Sequence, residues 1–219
     1  MSRSLAAAAA LALAMTAPLA QAQTSPGDDP YQWLEDVEGA KAMAWVREQN
    51  GISQPQLEAT PGFKELHDRL LAIYNSRERI PGVQKRGKWL YNFWQDEHDP
   101  RGIWRRTTLE EYRKPEPRWE TVLDIGKLSD AENQKWVWKG ATCLYPDYRR
   151  CLVSLSRGGA DAVEVREFDT VAKQFVKGGF VSPESKQDVA WRDADSIYVA
   201  RDFGPGSMTT SGYARIVKE

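Results

Sequence analysis

The sequence is poor in the side chains that most often carry chemistry. It has two histidines, His67 and His98, and two cysteines, Cys143 and Cys151, in 219 residues. A metal site needs more ligands than the cysteines supply, and neither histidine is near them in sequence. No metal is therefore expected. No serine has glycine at both −2 and +2, which excludes a Gly-x-Ser-x-Gly nucleophile elbow. An excess of either charge is also missing: 30 basic residues stand against 31 acidic ones. That balance gives no electrostatic reason to expect a nucleic acid or an anionic membrane as partner. Apolar runs long enough to span a membrane are absent too. The one at the N-terminus is too short and too rich in alanine.

That N-terminal run reads instead as an export signal. "MSRSLAAAAALALAMTAPLAQA" has a basic start at Arg3, an apolar stretch, and Ala20-Gln21-Ala22 as a small-residue cleavage site. Residues 1–22 are expected to be a signal peptide cleaved after Ala22, followed by a linker over 23–27. The product is then exported, periplasmic or secreted, and no membrane partner remains once the signal is removed. In such an oxidising setting the pair in "CLYPDYRRC" has two readings: a Cys143–Cys151 disulfide across a hairpin, or two buried thiols on adjacent strands.

Residues 28–79 read as a helical segment. Asp29-Pro30 looks like an N-cap followed by proline at the first helical position, and "AKAMAWVREQN" runs toward a stop at Gly51. A third helix has Thr60 as cap and Pro61 at its start. Phe63, Leu66, Leu70 and Ile73 share one face, with a partly buried His67 on its flank. From Ile80 the period changes to strand and turn. "VQKRGKWLYNFW" reads as a tight hairpin, and "GIWRRTT", "WETVLDI", "KWVWKGATCL", "RRCLVSLS", "DAVEVREFD", "KQFVKGGF" and "VAWRDADSIYVARDFG" follow as further strands. Nine tryptophans favour layered β-structure. Trp89 and Trp136 open two groups about 47 positions apart, and "CLVSL" and "IYVAR" recur at about 46. Groups of four short strands at this period mark a β-propeller. The expected fold is thus mainly β: blades over about 80–126 and 127–182, and an unfinished third over 183–219.

Several short motifs imitate active sites. "SLSRGGAD" is a hairpin turn, because paired glycines supply positive φ. "DEHDPRG", with Asp96, Glu97, His98 and Asp99, reads as a solvated connection between strands. "DFG" at Asp202–Gly204 has no phosphate loop or catalytic loop to accompany it, and "GPG" is too short for a dinucleotide fingerprint. No catalytic residue and no cofactor is expected.

"DPYQWLED", "WVREQN", "DEHDPRGIWRRTTLEEY", "YPDYRRCLVSLSRGGADAVEVREFD" and "FGPGSMTTSGY" resemble the N-terminal part of prolyl oligopeptidase-type serine peptidases over residues 28–219. The resemblance implies a seven-bladed propeller, of which about two and a half blades are present, capping an α/β-hydrolase domain. It implies cleavage of short peptides, typically after proline, by a Ser-Asp-His triad in that hydrolase domain. The triad and oxyanion hole are then missing from this sequence, the missing C-terminal hydrolase domain is the expected partner, and the chain is expected to be inactive alone. The propeller of the family reaches side chains into the substrate cavity. By position in "VREFD", Glu167 is the candidate substrate contact; the alternative is a solvent-facing strand carboxylate paired with Arg166 or Lys173. A second reading of the whole chain is a stand-alone exported binding module.

Overall fold

The computed structural model describes residues 29–36 and 39–219. The signal peptide, its cleavage at Ala22 and the 23–27 linker lie outside the described residues. The chain divides into one unit ending at Glu65 and a second over Leu66–Glu219.

In the first unit the Asp29-Pro30 start gives only a 3-10 turn, Gln32–Glu35, which follows an Asp29 carboxylate accepting from the Tyr31 N–H at 2.8 Å. Helix α1, Ala40–Glu58, runs straight through the expected stop at Gly51 and carries Pro55 inside it. An isolated helical glycine costs only about 1 kcal/mol, which the helix absorbs. Its proline falls in the last turn. Helix α2, Phe63–Asn75, begins after the expected Thr60-Pro61 start. The Thr60 hydroxyl instead donates back to the Gln56 carbonyl at 3.4 Å. The apolar face is there, but Leu66, Leu70 and Ile73 are exposed. His67 is also exposed rather than partly buried, 60% by side chain, with Nδ1 3.1 Å from Asp68. Periodicity states that a helix has an apolar face; it does not state what covers it.

Three antiparallel sheets follow. The first joins β1 (Gln84–Arg86), β2 (Trp89–Trp94), β3 (Ile103–Thr108) and β4 (Glu120–Asp124) in sequence order. Its opening hairpin pairs Arg86 with Trp89 across a two-residue turn, where Gly87 takes φ 59°. Between β3 and β4 lies a one-turn helix, α3 (Leu109–Tyr112), capped by the Thr108 hydroxyl. After β4 comes α4, Ile125–Glu132, where no helix was expected. Asp124 caps its start, accepting from the Lys127 N–H at 2.9 Å, and Asn133 ends it in the left-handed conformation.

The second sheet contains β5 (Trp136–Cys143), β6 (Arg150–Arg157) and β7 (Val163–Asp169), followed by β8 (Gln174–Phe175) and β9 (Val181–Ser185). Both β8 and β9 pair with β7, at opposite ends of it, so together they are one outer strand interrupted at Val176–Phe180. The third sheet is β10 (Asp188–Trp191), β11 (Ile197–Ala200) and the two-residue β12 (Val217–Lys218). A Met208–Ala214 bridge closes the loop before β12.

Aromatic packing joins the sheets. Trp104 on β3, 3% exposed, meets Tyr91 at 5.1 Å, Trp138 at 5.1 Å and Phe168 at 6.1 Å between ring centroids. Phe93 stacks on Trp138 at 5.4 Å with an interplanar angle of 6°. Alternation on β2, β3 and β5 sends these rings to one face, where sheets one and two share a core with Leu155, Val153 and Ile125. Leu152, Val163, Val165 and Ile197 form the corresponding core between sheets two and three. Polar links follow the same seams: Lys173 reaches Glu120 at 2.9 Å, and Arg150 donates to the Ala194 carbonyl at 2.5 Å.

Truncating the ring shared by both faces of the first seam removes a large buried area. Trp104→Ala is expected to lower unfolding stability by about 3–5 kcal/mol, read as a fall in urea midpoint. A loss below about 1 kcal/mol would show that the seam does not hold the sheets.

Candidate functional site

Each sheet has its first strand at one edge, and these edges converge. Arg86 on β1 donates through Nη2 to the Ala141 carbonyl of β5 at 2.7 Å and through Nη1 to Cys143 Sγ at 2.9 Å. Trp191 on β10 donates from its indole N–H to the Thr142 carbonyl of β5 at 2.8 Å. Thus β1, β5 and β10 lie side by side along one line, the arrangement that places first strands around a propeller axis. Between β1 and β5 is a cavity of about 550 Å³ lined by Gln84, Arg86, Tyr91, Trp104, Trp138 and Thr142 among others. Burial lowers the pKa of Arg86, partly offset by Tyr91 and Tyr148. The wall is polar and aromatic: it can hold peptide groups by hydrogen bonds and side chains by ring contact.

The cysteines pair directly across β5 and β6, and the structure joins them in a disulfide, with Cα atoms 3.9 Å apart. Cys151 is fully buried. The bond fastens the hairpin whose first strand lines the axis.

Glu167 is placed differently from either expectation. Its side chain is 1% exposed, on β7 inside the second sheet. Arg150 Nε donates to one carboxylate oxygen, and the Phe180 N–H donates to the other at 2.9 Å. Arg166, one of the two partners expected for it, pairs with Glu132 and Glu164, and Lys173 with Glu120. The interrupted outer strand has its physical cause here. Residues 176–180 leave the ladder to wrap the carboxylate, and a Cβ on Gly179 would stand 2.8 Å from Glu167 Oε2. Burial pushes the Glu167 carboxyl up, but Arg150 and the Phe180 N–H outweigh it and hold its pKa below the ordinary value. In this chain the carboxylate organises the blade rather than facing open solvent. Sequence alternation places Glu167 on a strand; the Gly178-Gly179 pair opposite was the available signal that a chain segment closes over it.

The imitation motifs resolve into local structure. The Ser156 hydroxyl is fully buried and donates to the Ala160 carbonyl at 2.8 Å, while Gly158 and Gly159 take φ of 64° and 91°. In the "DEHD" loop, Asp96 accepts from the His98 and Asp99 N–H groups and from the Trp94 indole. His98 Nε2 lies 2.9 Å from Arg77. Asp202 accepts from the Gly204 N–H and the Ser207 hydroxyl, making "DFG" a turn. Among the described residues no group of three His, Cys, Asp or Glu side chains is arranged to hold a metal ion.

The Glu167 arrangement makes stability depend on pH with a definite sign. Its folded pKa is depressed, so its contribution is present above the ordinary value of 4.5 and is lost as pH falls through the folded value. Glu167→Gln is expected to cost about 1–3 kcal/mol at neutral pH and to flatten the fall in urea midpoint below pH 4.5. An unchanged acid slope would remove Glu167 from this role.

Comparison with known proteins then gives a consistent result. The model of the family "Prolyl oligopeptidase, N-terminal beta-propeller domain" matches residues 20–216. An uncharacterized peptidase of Sinorhizobium fredii is 45% identical over 192 residues, covering 87% of this chain and 26% of that protein. A prolyl endopeptidase of Elizabethkingia miricola is 30% identical over 152 residues, covering 67% of this chain and 19% of that protein. A solved post-proline cleaving enzyme from Rickettsia typhi superposes with a TM-score of 0.77 at 30% identity, covering 84% of this chain and 28% of that one. The chain spans about a quarter or less of the length of the curated relatives it matches.

Proposed function

This chain belongs to the prolyl oligopeptidase family, as part of its N-terminal β-propeller, and from that premise we propose that it serves as the access-controlling portion of a serine peptidase acting on short peptides. The observation that carries the reading is the convergence of β1, β5 and β10, held by Arg86 to Ala141 and by Trp191 to Thr142. In a propeller, first strands fixed edge to edge in this way line the passage along the axis. An extended peptide fits such a passage and a folded protein does not.

On this reading the chemistry is supplied by residues outside the 219 here. Acyl transfer needs a serine activated by a positioned base and donors aimed at the oxyanion. The two histidines do not meet that need. His98 is engaged by Arg77 in a hairpin loop, and His67 sits on an exposed helix beside Asp68. Export of the chain, as the N-terminal sequence suggests, belongs to the same proposal, and so does a preference for proline-containing peptides.

The test uses the purified chain with a proline-containing chromogenic peptide. No release of chromophore above the buffer rate is expected at any pH between 5 and 9. Turnover that follows the protein through gel filtration would overturn the proposal.

A further inference from the structure

The second sheet has a neighbour from this chain on each face, so residues present here set the surroundings of its strands. Its first strand, β5, is flanked on both sides. Arg86 of β1 meets the Ala141 carbonyl at 2.7 Å, and Trp191 of β10 meets the Thr142 carbonyl at 2.8 Å. Cys143 is the last residue of β5. It is half-buried, follows the exposed Thr142, and precedes a turn that carries the exposed Tyr145.

The two sulfurs of the disulfide differ in access and in what lies beside them. Cys151 is fully buried in the core shared with the first sheet, and its Sγ is 3.8 Å from the Tyr148 carbonyl oxygen. The cations next to it in sequence are spent on carboxylates, Arg149 on Asp169 and Arg150 on Glu167. Cys143 instead keeps part of its surface in solvent and has Nη1 of Arg86 at 2.9 Å from its Sγ. That guanidinium is fixed, because its Nη2 donates to Gln84 Oε1 at 2.9 Å as well as to Ala141. A cation beside a sulfur favours the thiolate, whereas a carbonyl oxygen accepts from the thiol.

The hairpin does not need the bond to keep its register. Strands β5 and β6 pair from Trp136–Arg157 to Cys143–Cys151, and past the cysteines the Leu144 N–H donates to the Arg150 carbonyl at 2.8 Å. Ladder bonds on both sides of the cross-link therefore remain when it is cut.

We propose that the Cys143–Cys151 bond is a redox modification site for small thiols, with Cys143 as the sulfur that is attacked and Arg86 as the group that holds its thiolate. In the first step a small-molecule thiolate attacks Cys143 Sγ. The sulfur–sulfur bond breaks, and its electron pair leaves on Cys151, which takes a proton and donates it to the Tyr148 carbonyl. Cys143 then carries the small thiol as a mixed disulfide. A second small thiolate attacks the outer sulfur of that adduct and releases Cys143 as a thiolate beside Arg86. Two small thiols are oxidised to one disulfide; of their two protons, one goes to Cys151 and one to solvent. Reduction thus exchanges a covalent link within the second sheet for an ion pair between the first sheet and the second. None of this rests on the peptidase reading.

The test treats the purified chain, under native conditions, with reduced glutathione as the small thiol. After an acid quench and digestion without reductant, mass spectrometry is expected to find the mixed disulfide on Cys143 and not on Cys151. In a second arm the chain is reduced with a phosphine and alkylated with iodoacetamide near neutral pH, while circular dichroism checks that the sheets persist. Cys143 is expected to react about tenfold faster than Cys151, with Arg86→Gln slowing it about tenfold and Arg86→Lys keeping most of the rate. The comparison of the two cysteines in the unaltered chain does not depend on how the variants fold. An adduct on Cys151, equal rates at the two cysteines, or an unchanged Cys143 rate in Arg86→Gln overturns the proposal. So does a bond that is reduced only after urea has unfolded the chain.

Discussion

The structure depends on one packing constraint: adjacent sheets close against one another through a shared layer rich in aromatic rings. Trp104 sits within that layer, in contact with Tyr91 of its own sheet and with Trp138 and Phe168 of the next. Because the side chains of a strand alternate, committing Trp104 and Phe93 to this layer commits Arg105 and Trp94 to the opposite face. The cavity where the first strands converge follows from that choice.

Charged groups then fill the edges of the layer, and they do so in pairs across seams. Lys173 bridges to Glu120, whose pKa is drawn down to about 2, first by its hydrogen bond with Arg106. Arg150 joins the buried Glu167 to the Ala194 carbonyl of the third sheet. Trp136 has Arg157 and Arg166 over its ring at 4.7 and 5.1 Å and gives its N–H to Glu132.

Much of the strand pattern was legible in the sequence because propeller strands are short, alternate, and end at glycines. The "CLVSL" and "IYVAR" repeat falls on β6 and β11, the second strands of sheets two and three, so that spacing reported true structural equivalence. The Trp89–Trp136 spacing did not: Trp89 opens a second strand and Trp136 a first. Helix α4 was missed because eight residues show too little periodicity, although Asp124 and Asn133 are ordinary helix caps. Gly51 misled for the opposite reason, since a stop signal is only a modest cost to a long helix. Of the candidate site, Glu167 was found as a residue and misplaced as an environment. Burial depends on the Val176–Phe180 detour, which is a tertiary event.

On the proposed reading this chain shapes access, and the bond-breaking serine lies on residues outside it. The most direct measurement is covalent labelling with a fluorophosphonate, which reacts with any serine activated by a base and requires no knowledge of the preferred peptide. After incubation and digestion, mass spectrometry should find every serine-containing peptide of the chain unmodified. Stoichiometric adduct on a single serine, abolished by prior heat denaturation, would show an activated nucleophile here and contradict the account.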